Sequence, residues 1–370
     1  MGLLRILLAI AVVIEHSAPV FGFRFTGGLV AVEIFYIISG FYMTMILDKK
    51  YTGNGSYLLF LSNRFLRLYP MFWVVLGLTV ILSIVSVVFF GKWLRLTPYI
   101  EYYDALAFET LLFISTVNAT LLGQHTVLFL GVSQGTGAMY FTHDFNTSSP
   151  MLHEFLLVPQ AWSLGIEILF YIIAPFVVRR SIVIVALLIL FSMGIRIFTY
   201  YYLGFTNDPW TYRFFPSELA LFLLGTVSYR LYASFKIQKT KLFGCNPANV
   251  LVGLFFLALL FHQFIPKAGH EHLVNWVLYG FCCLVIPYLF ELSRTSKIDS
   301  RIGELSYPVY ISHILVIALI PPLLPALGGQ AYKGEWAVVF TMLVSYLLIR
   351  LISDPIEKIR QARVKVERKI

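Results

Sequence analysis

Charge is scarce in this chain: of its 370 residues only 13% are Asp, Glu, Lys or Arg, about half the share of a water-soluble domain. A soluble chain of this length would be two or three domains with charged surfaces, so that class is excluded. Cysteine is scarce too. Cys245, Cys282 and Cys283 are too few and too unevenly spaced for a disulfide framework or a metal site, which leaves them as packing residues. Alternating apolar and polar stretches of about ten residues, the mark of a membrane barrel, are absent. So are internal repeats and low-complexity segments.

What is present is apolar length. Hydrophobic residues make up 59% of the chain, with a mean hydropathy of +0.80. Blocks of roughly twenty residues recur throughout, the length a helix needs to cross a bilayer core. The expected fold is all-α, a polytopic bundle of about ten transmembrane helices. Spans are predicted at 3–20, 28–47, 70–90, 162–178, 181–202, 214–232, 249–265, 273–292, 303–325 and 335–353, with boundaries soft by several residues. With the N-terminus inside, nineteen of the 28 Lys and Arg fall in inward loops and the tail, and six in outward loops. The inward set includes Lys49, Lys50, Arg64, Arg67, Lys236, Lys239, Lys241, Arg368 and Lys369; the outward set includes Arg24, Arg213 and Lys267. This asymmetry places both termini in the cytoplasm. The formal charge of +9 therefore records topology rather than a nucleic-acid partner.

Residues 105–133 are apolar but carry Glu109, Asn118, Gln124 and His125. An extra crossing there would invert everything after it, so the segment is placed outside, re-entrant or surface-lying, in a long loop over 91–161. His125, His143 and His153 in that loop lack metal-ligand spacing. The predicted domain layout is one membrane unit, 1–355, followed by a basic, separately helical cytoplasmic tail, 356–370.

Function is sought where polar residues stand in apolar spans, since each ionisable one costs roughly 2.5–3.5 kcal/mol to insert at a helix centre. Arg5 and His16 share the first helix. Eleven residues return to nearly the same face with a rise of about 16 Å, so one stripe carries a cation near the inner surface and an imidazole in the outer half. Such a pair could hold both ends of a long anionic ligand. In the second helix Glu33 stands at a depth similar to His16, where a carboxylate would fix the imidazole tautomer and raise its basicity. Ser39 and Gly40 follow, the glycine allowing close helix packing. Arg64 and Arg67 in NRFLRLYP share a face of a short interfacial helix and suit bidentate phosphate contacts. Glu167 lies about one turn inside the 162–178 span, flanked by Trp162 and Tyr171; Tyr310 and His313 lie further on in IGELSYPVYISHILV.

Taken in order, these fragments resemble the acyltransferase-3 family of integral membrane acyltransferases, which includes bacterial O-antigen and exopolysaccharide O-acetylases. Arg5 and His16 match its first-helix pattern, and GGLVAVEIFYIISGF its glycine-acidic-aromatic segment, with Glu33 where Asp is more usual. RFLRLYP is similar to its basic motif, WSLGIEILFY to its tryptophan-carboxylate motif, LSYPVYISH to its tyrosine-histidine motif, and DPIEKIR to its closing acidic-proline patch. No appended hydrolase domain of the SGNH type follows, so its task is expected to be unnecessary or supplied by another protein.

The resemblance implies a multi-pass protein of the bacterial inner membrane that takes an acetyl group from cytoplasmic acetyl-CoA, a substrate rather than a resident cofactor. The group would pass to a hydroxyl of a cell-surface glycan or lipid-linked glycan. His16, Glu33 and Glu167 would be catalytic, and His16 either a general base or an acyl carrier. Arg5, Arg64, Arg67, Ser39, Trp162, Tyr171, Tyr310 and His313 would bind substrates. A rival reading is a secondary transporter or flippase, in which the same intramembrane residues relay protons. A third is a scaffold subunit of a polysaccharide-synthesis complex.

Overall fold

The computed structural model describes residues 1–53, 55–234, 247–266 and 269–367. Cys245, Lys236, Lys239, Lys241, Lys267, Arg368 and Lys369 lie outside the described residues. The fold is a helical membrane bundle. Its helices are α1 (Gly2–His16), α2 (Gly28–Lys49), α3 (Ser56–Phe90), α4 (Thr97–Tyr102), α5 (Phe108–Thr120), α6 (Trp162–Val177) and α7 (Ile182–Ile197). After these come α8 (Phe215–Ser234), α9 (Pro247–Leu260), α10 (Glu271–Ser293), α11 (Lys297–Glu304), α12 (Ser306–Leu319), α13 (Lys333–Leu348) and α14 (Asp354–Glu367). A helix stands at each of the ten predicted spans. Seven helical runs among the described residues are long and apolar enough, by length and composition, to cross a membrane.

α2 runs through the middle. Its buried face includes Ile34, Ile37 and Phe41 on one side and Ala31 and Ile38 on another, and it packs against α1, α6, α8 and α10. The tightest crossing is with α8, and two glycines make it possible. A Cβ on Gly40 would meet the carbonyl oxygen of Phe222 at 1.9 Å, and one on Gly225 would meet that of Ile37 at 2.0 Å. Gly225→Ala must therefore separate the helices, at a cost of about 1–3 kcal/mol. A lower melting temperature in detergent is the expected readout, and an unchanged one would show that the crossing opens freely.

α3 departs from expectation. The basic motif does not form a separate interfacial helix; it is the first half of one 35-residue helix with Pro70 inside. Proline removes only one backbone donor. The buried positions Phe60, Arg64, Leu68, Phe72 and Val75 continue at helical spacing through it, so packing on both sides of Pro70 keeps the helix going. The tail departs likewise. α13 passes through a π turn, Ile349–Ser353, directly into α14, whose Arg360 Nε donates to the carbonyl of Asn63 at 3.1 Å and whose Arg363 donates to Ser62 Oγ at 2.9 Å. The tail thus docks on α3, bringing its cations against the basic motif.

The long loop has its own small core around Leu106, Ile114, Val117, Leu152 and Phe155. α5 has 13 residues, a rise of about 20 Å, short of a bilayer core. A two-stranded antiparallel ribbon, β1 (Leu130–Val132) with β2 (Met139–Phe141), follows. Asn118 ties the loop together: its side chain donates to Tyr99 Oη and to the carbonyl of Phe155, both at 2.9 Å, and accepts from the amide of Leu157.

Candidate active site

A cavity of about 580 Å³ enters the bundle beside the start of α1. Its lining carries five guanidiniums: Arg5 of α1, Arg64 and Arg67 of α3, Arg294 just after α10, and Arg360 of α14. One helical turn separates Arg64 from Arg67, so both reach the same side of α3. Arg64 is buried, with an Nε that has no partner. Arg5 and Arg67 form no ion pair among the described residues. Of the nearby acids, Glu357 is taken by Arg360, and Asp299 accepts from the amides of Gly2 and Leu3 at 2.7 and 2.9 Å, capping α1. Glu304 and Asp354 also line the cavity, but where no acid pairs with them, like charges gathered in a low-dielectric cleft repel one another strongly. An anion with several charges relieves that repulsion.

Further in, the wall carries hydroxyls and one carboxylate. Ser39 of α2 donates to Glu167 of α6 at 2.6 Å, and Tyr171 faces the cavity one turn on. The inner end is formed by Tyr36, Ser163 and Tyr310. Tyr310 Oη donates to the carbonyl of Gln160 at 2.8 Å and lies 2.6 Å from Ser163 Oγ. Tyr307, one turn before it, donates to the carbonyl of Leu68 at 2.6 Å, which fixes α12 against α3.

His16 is placed differently from its partner on the stripe. It is the exposed last residue of α1 and is outside the cavity lining. The eleven-residue spacing does put Arg5 and His16 on one face. However, the residues between them on that face, Ala9 and Val12, are packed into the core, so the cavity follows α2 and α6 rather than α1. His16 instead meets His313 of α12, ring centroids 5.2 Å apart and planes 32° from parallel. His313 is fully buried; its Nδ1 lies 2.6 Å from the carbonyl of Tyr310, and its Nε2 has no partner. A carbonyl only accepts, so Nδ1 carries the proton and Nε2 presents a lone pair. The Tyr310 and His313 rings are 5.9 Å apart. The end of the cavity and the exposed imidazole are thus joined through one turn of α12.

Glu33 does not pair with His16. It is buried and accepts from Tyr279 of α10 and, at 3.4 Å, from Arg196 of α7. Arg196 also donates to Glu218 of α8 at 2.6 Å and to the carbonyl of Thr211 at 2.7 Å, and lies over the Trp276 ring. Depth alone suggested His16 as the neighbour. The α2–α7–α8 packing decides otherwise. Arg196 was visible as a cation at the end of a span, and Glu218 as an acid just inside another, but nothing in one sequence paired them with Glu33. Arg360 was equally hidden, because a basic tail reads as topology.

Trp162 opens α6 and lies under Arg213, with Cζ 4.1 Å from the ring centre. Nearby, burial in the long loop pushes His125 down to about 4. Its ring is therefore neutral near pH 7 and rests on Gly165, where a Cβ would meet Nδ1 at 3.0 Å. The loop is seated directly on the helix that carries Glu167.

Comparison with known proteins gives the family. The family model of the acyltransferase-3 type, described as an acyltransferase domain, matches residues 1–353. The chain is 22% identical to the O-acetyltransferase OatA of Staphylococcus aureus strain NCTC 8325, over 96% of this chain and 56% of that protein. It is 26% identical to the peptidoglycan O-acetyltransferase OatA of Listeria monocytogenes, over 96% of this chain and 55% of that protein. The chain thus spans about half the length of these curated relatives. No solved structure matches it.

Proposed function

Because the chain belongs to the acyltransferase-3 family, we propose that it is a membrane O-acyltransferase moving an acetyl group from a coenzyme A thioester to a hydroxyl of a cell-surface glycan. The observation that carries this is the cavity itself. Five guanidiniums line it, Arg5 and Arg67 without an ion pair among the described residues, and its wall continues past Ser39 and Glu167 to Ser163 and Tyr310. A nucleotide with several phosphates fits the first, and an extended arm ending in a thioester fits the second. On this reading the membrane is the bacterial inner membrane and the mouth opens to the cytoplasm, where such a donor is made, an orientation the positive-inside asymmetry supports. His16, exposed beyond Tyr310 and His313, would then take the proton of an acceptor arriving from the other face. Peptidoglycan, named for the Listeria relative, is one acceptor of the required kind; O-antigen, capsule and exopolysaccharide share its chemistry.

The donor half is tested with Arg67→Ala and Arg5→Ala in proteoliposomes, following thiol release from acetyl-CoA. Each is expected to raise the donor KM about tenfold or more, since a charge-assisted phosphate contact is worth roughly 1.5–3 kcal/mol, with the difference shrinking at high salt. A donor KM unchanged in both variants would remove the phosphate assignment. Mass spectrometry of surface glycans from cells with and without the gene identifies the acceptor and the mass added.

A further inference from the structure

The cavity wall continues past the end of the family match. That match stops at residue 353, and α14 begins at Asp354. Asp354, Glu357, Arg360 and Gln361 of α14 all line the cavity. They recur at three- and four-residue steps, so they stand on one face of the helix. Two contacts press that face onto α3. Arg360 Nε donates to the carbonyl of Asn63 at 3.1 Å, and Arg363, beyond it, donates to Ser62 Oγ at 2.9 Å. Asn63 immediately precedes Arg64, whose own Nε has no partner. The Arg360 guanidinium is therefore fastened beside the buried cation of the basic motif by a bond that uses only its Nε. Its Nη1 pairs with Glu357, and its Nη2 has no hydrogen bond among the described residues. The pair is unequal: Arg360 is 12% exposed and Glu357 45%. Glu357 also accepts from Gln361. An ion pair one helical turn apart and half in water is weak. A phosphate makes shorter, stronger bonds to a guanidinium, often two at once.

We propose that Arg360 is a donor-binding residue that holds a phosphate of the nucleotide through Nη1 and Nη2, and that Glu357 is a place-holder which this phosphate displaces. The proposal rests on the reading of the cavity as the site of a coenzyme A thioester. The Asn63 carbonyl keeps its bond to Nε throughout, so the guanidinium changes partner without leaving its place. Glu357 is exposed enough to turn to water when released. In the empty site it neutralises a cation that would otherwise add to the repulsion among Arg5, Arg64 and Arg67. In the filled site the phosphate takes over that task. α14 is on this account a wall of the donor site, and its docking on α3 is what brings Arg360 to it.

The test is equilibrium binding of coenzyme A to the full chain purified in detergent. Arg360→Ala is expected to weaken binding about tenfold, the scale of one charge-assisted phosphate contact, with the difference shrinking as salt is raised. Arg360→Lys keeps the charge without the fork and should fall between the two. Glu357→Gln removes the competing carboxylate and should tighten binding by about two- to threefold, whereas a pair that only braces the helix would give a loss. Arg363→Ala loosens the docking of α14 but keeps Arg360, so it should cost less than Arg360→Ala. An affinity unchanged in Arg360→Ala overturns the proposal, as does an equal loss in Arg363→Ala or a weakening in Glu357→Gln. A lipid headgroup offers the same phosphate chemistry, so phosphatidylglycerol is added as a competitor. If it displaces coenzyme A from the parent and not from Arg360→Ala, the cation belongs to the lipid and the donor assignment falls. Arg67→Ala, measured alongside, separates the two readings. Weaker binding there with none lost in Arg360→Ala removes Arg360 alone; a parent that does not bind coenzyme A removes the donor reading itself.

Discussion

Replacing His16 with alanine is expected to lower acyl transfer by about 10²–10⁴-fold, the usual contribution of a positioned general base, without unfolding the bundle. The side chain is exposed at the last residue of α1, so its removal leaves no internal cavity. Its polar neighbour is His313, whose protonated Nδ1 is held by the Tyr310 carbonyl. The free lone pair of His313 Nε2 can steady a proton on His16 or receive one from it. The measurement is transfer to a glycan acceptor in membranes at matched expression, with His313→Ala in parallel. If His16→Ala transfers at the parental rate while His313→Ala is inactive, the base is His313 and the exposed ring is a bystander.

The largest loss of stability is expected from Arg196→Gln. Arg196 is the shared partner of two buried carboxylates on different helices, Glu33 and Glu218, which are 2% and 0% exposed. Removing it leaves both acids facing each other in the α2–α7–α8 core, with only Tyr279 donating to Glu33. Breaking a buried pair from one side costs about 3–5 kcal/mol because a charge is left unpaired. The effect on detergent melting temperature should exceed that of Gly225→Ala. The double variant Arg196→Gln with Glu218→Gln should be more stable than Arg196→Gln alone, since the orphaned charge goes with its partner. If the second change adds to the first instead of offsetting it, the network is not held together as an ion cluster. Activity separates structure from chemistry: a Glu33 that only braces α2 leaves kcat in the surviving folded fraction unchanged.

Much of the architecture was legible without coordinates because the bilayer imposes a length and a composition on each crossing. Apolar runs located a helix at each of the ten predicted spans, seven of the helical runs among the described residues being long and apolar enough to cross, and the same economy of charge made Arg5, His16, Glu33 and Glu167 conspicuous. The motif order was enough to indicate the family. The continuous α3 was missed because Pro70 reads as a break; whether a proline ends a helix or only bends it depends on what packs around it. The contact of the tail with α3 was hidden for a related reason. Arg360 looks like any inward cation until its hydrogen bond to the Asn63 carbonyl is seen.

What the sequence determined by itself is therefore one-dimensional: that the chain is a multi-pass helical bundle, where its apolar helices stand, and which residues stand in apolar segments at a cost. Which of those residues meet was decided only by tertiary structure. Helical spacing put Arg5 and His16 on one stripe, but the packing of Ala9 and Val12 closed that stripe and sent the cavity along α2 and α6. Depth put Glu33 beside His16, but the Gly40–Gly225 crossing drew α8 in and gave Glu33 to Arg196. A residue's depth and face follow from its own helix. Its partner follows from how closely the next helix approaches, and that depends on side chains far apart in the chain.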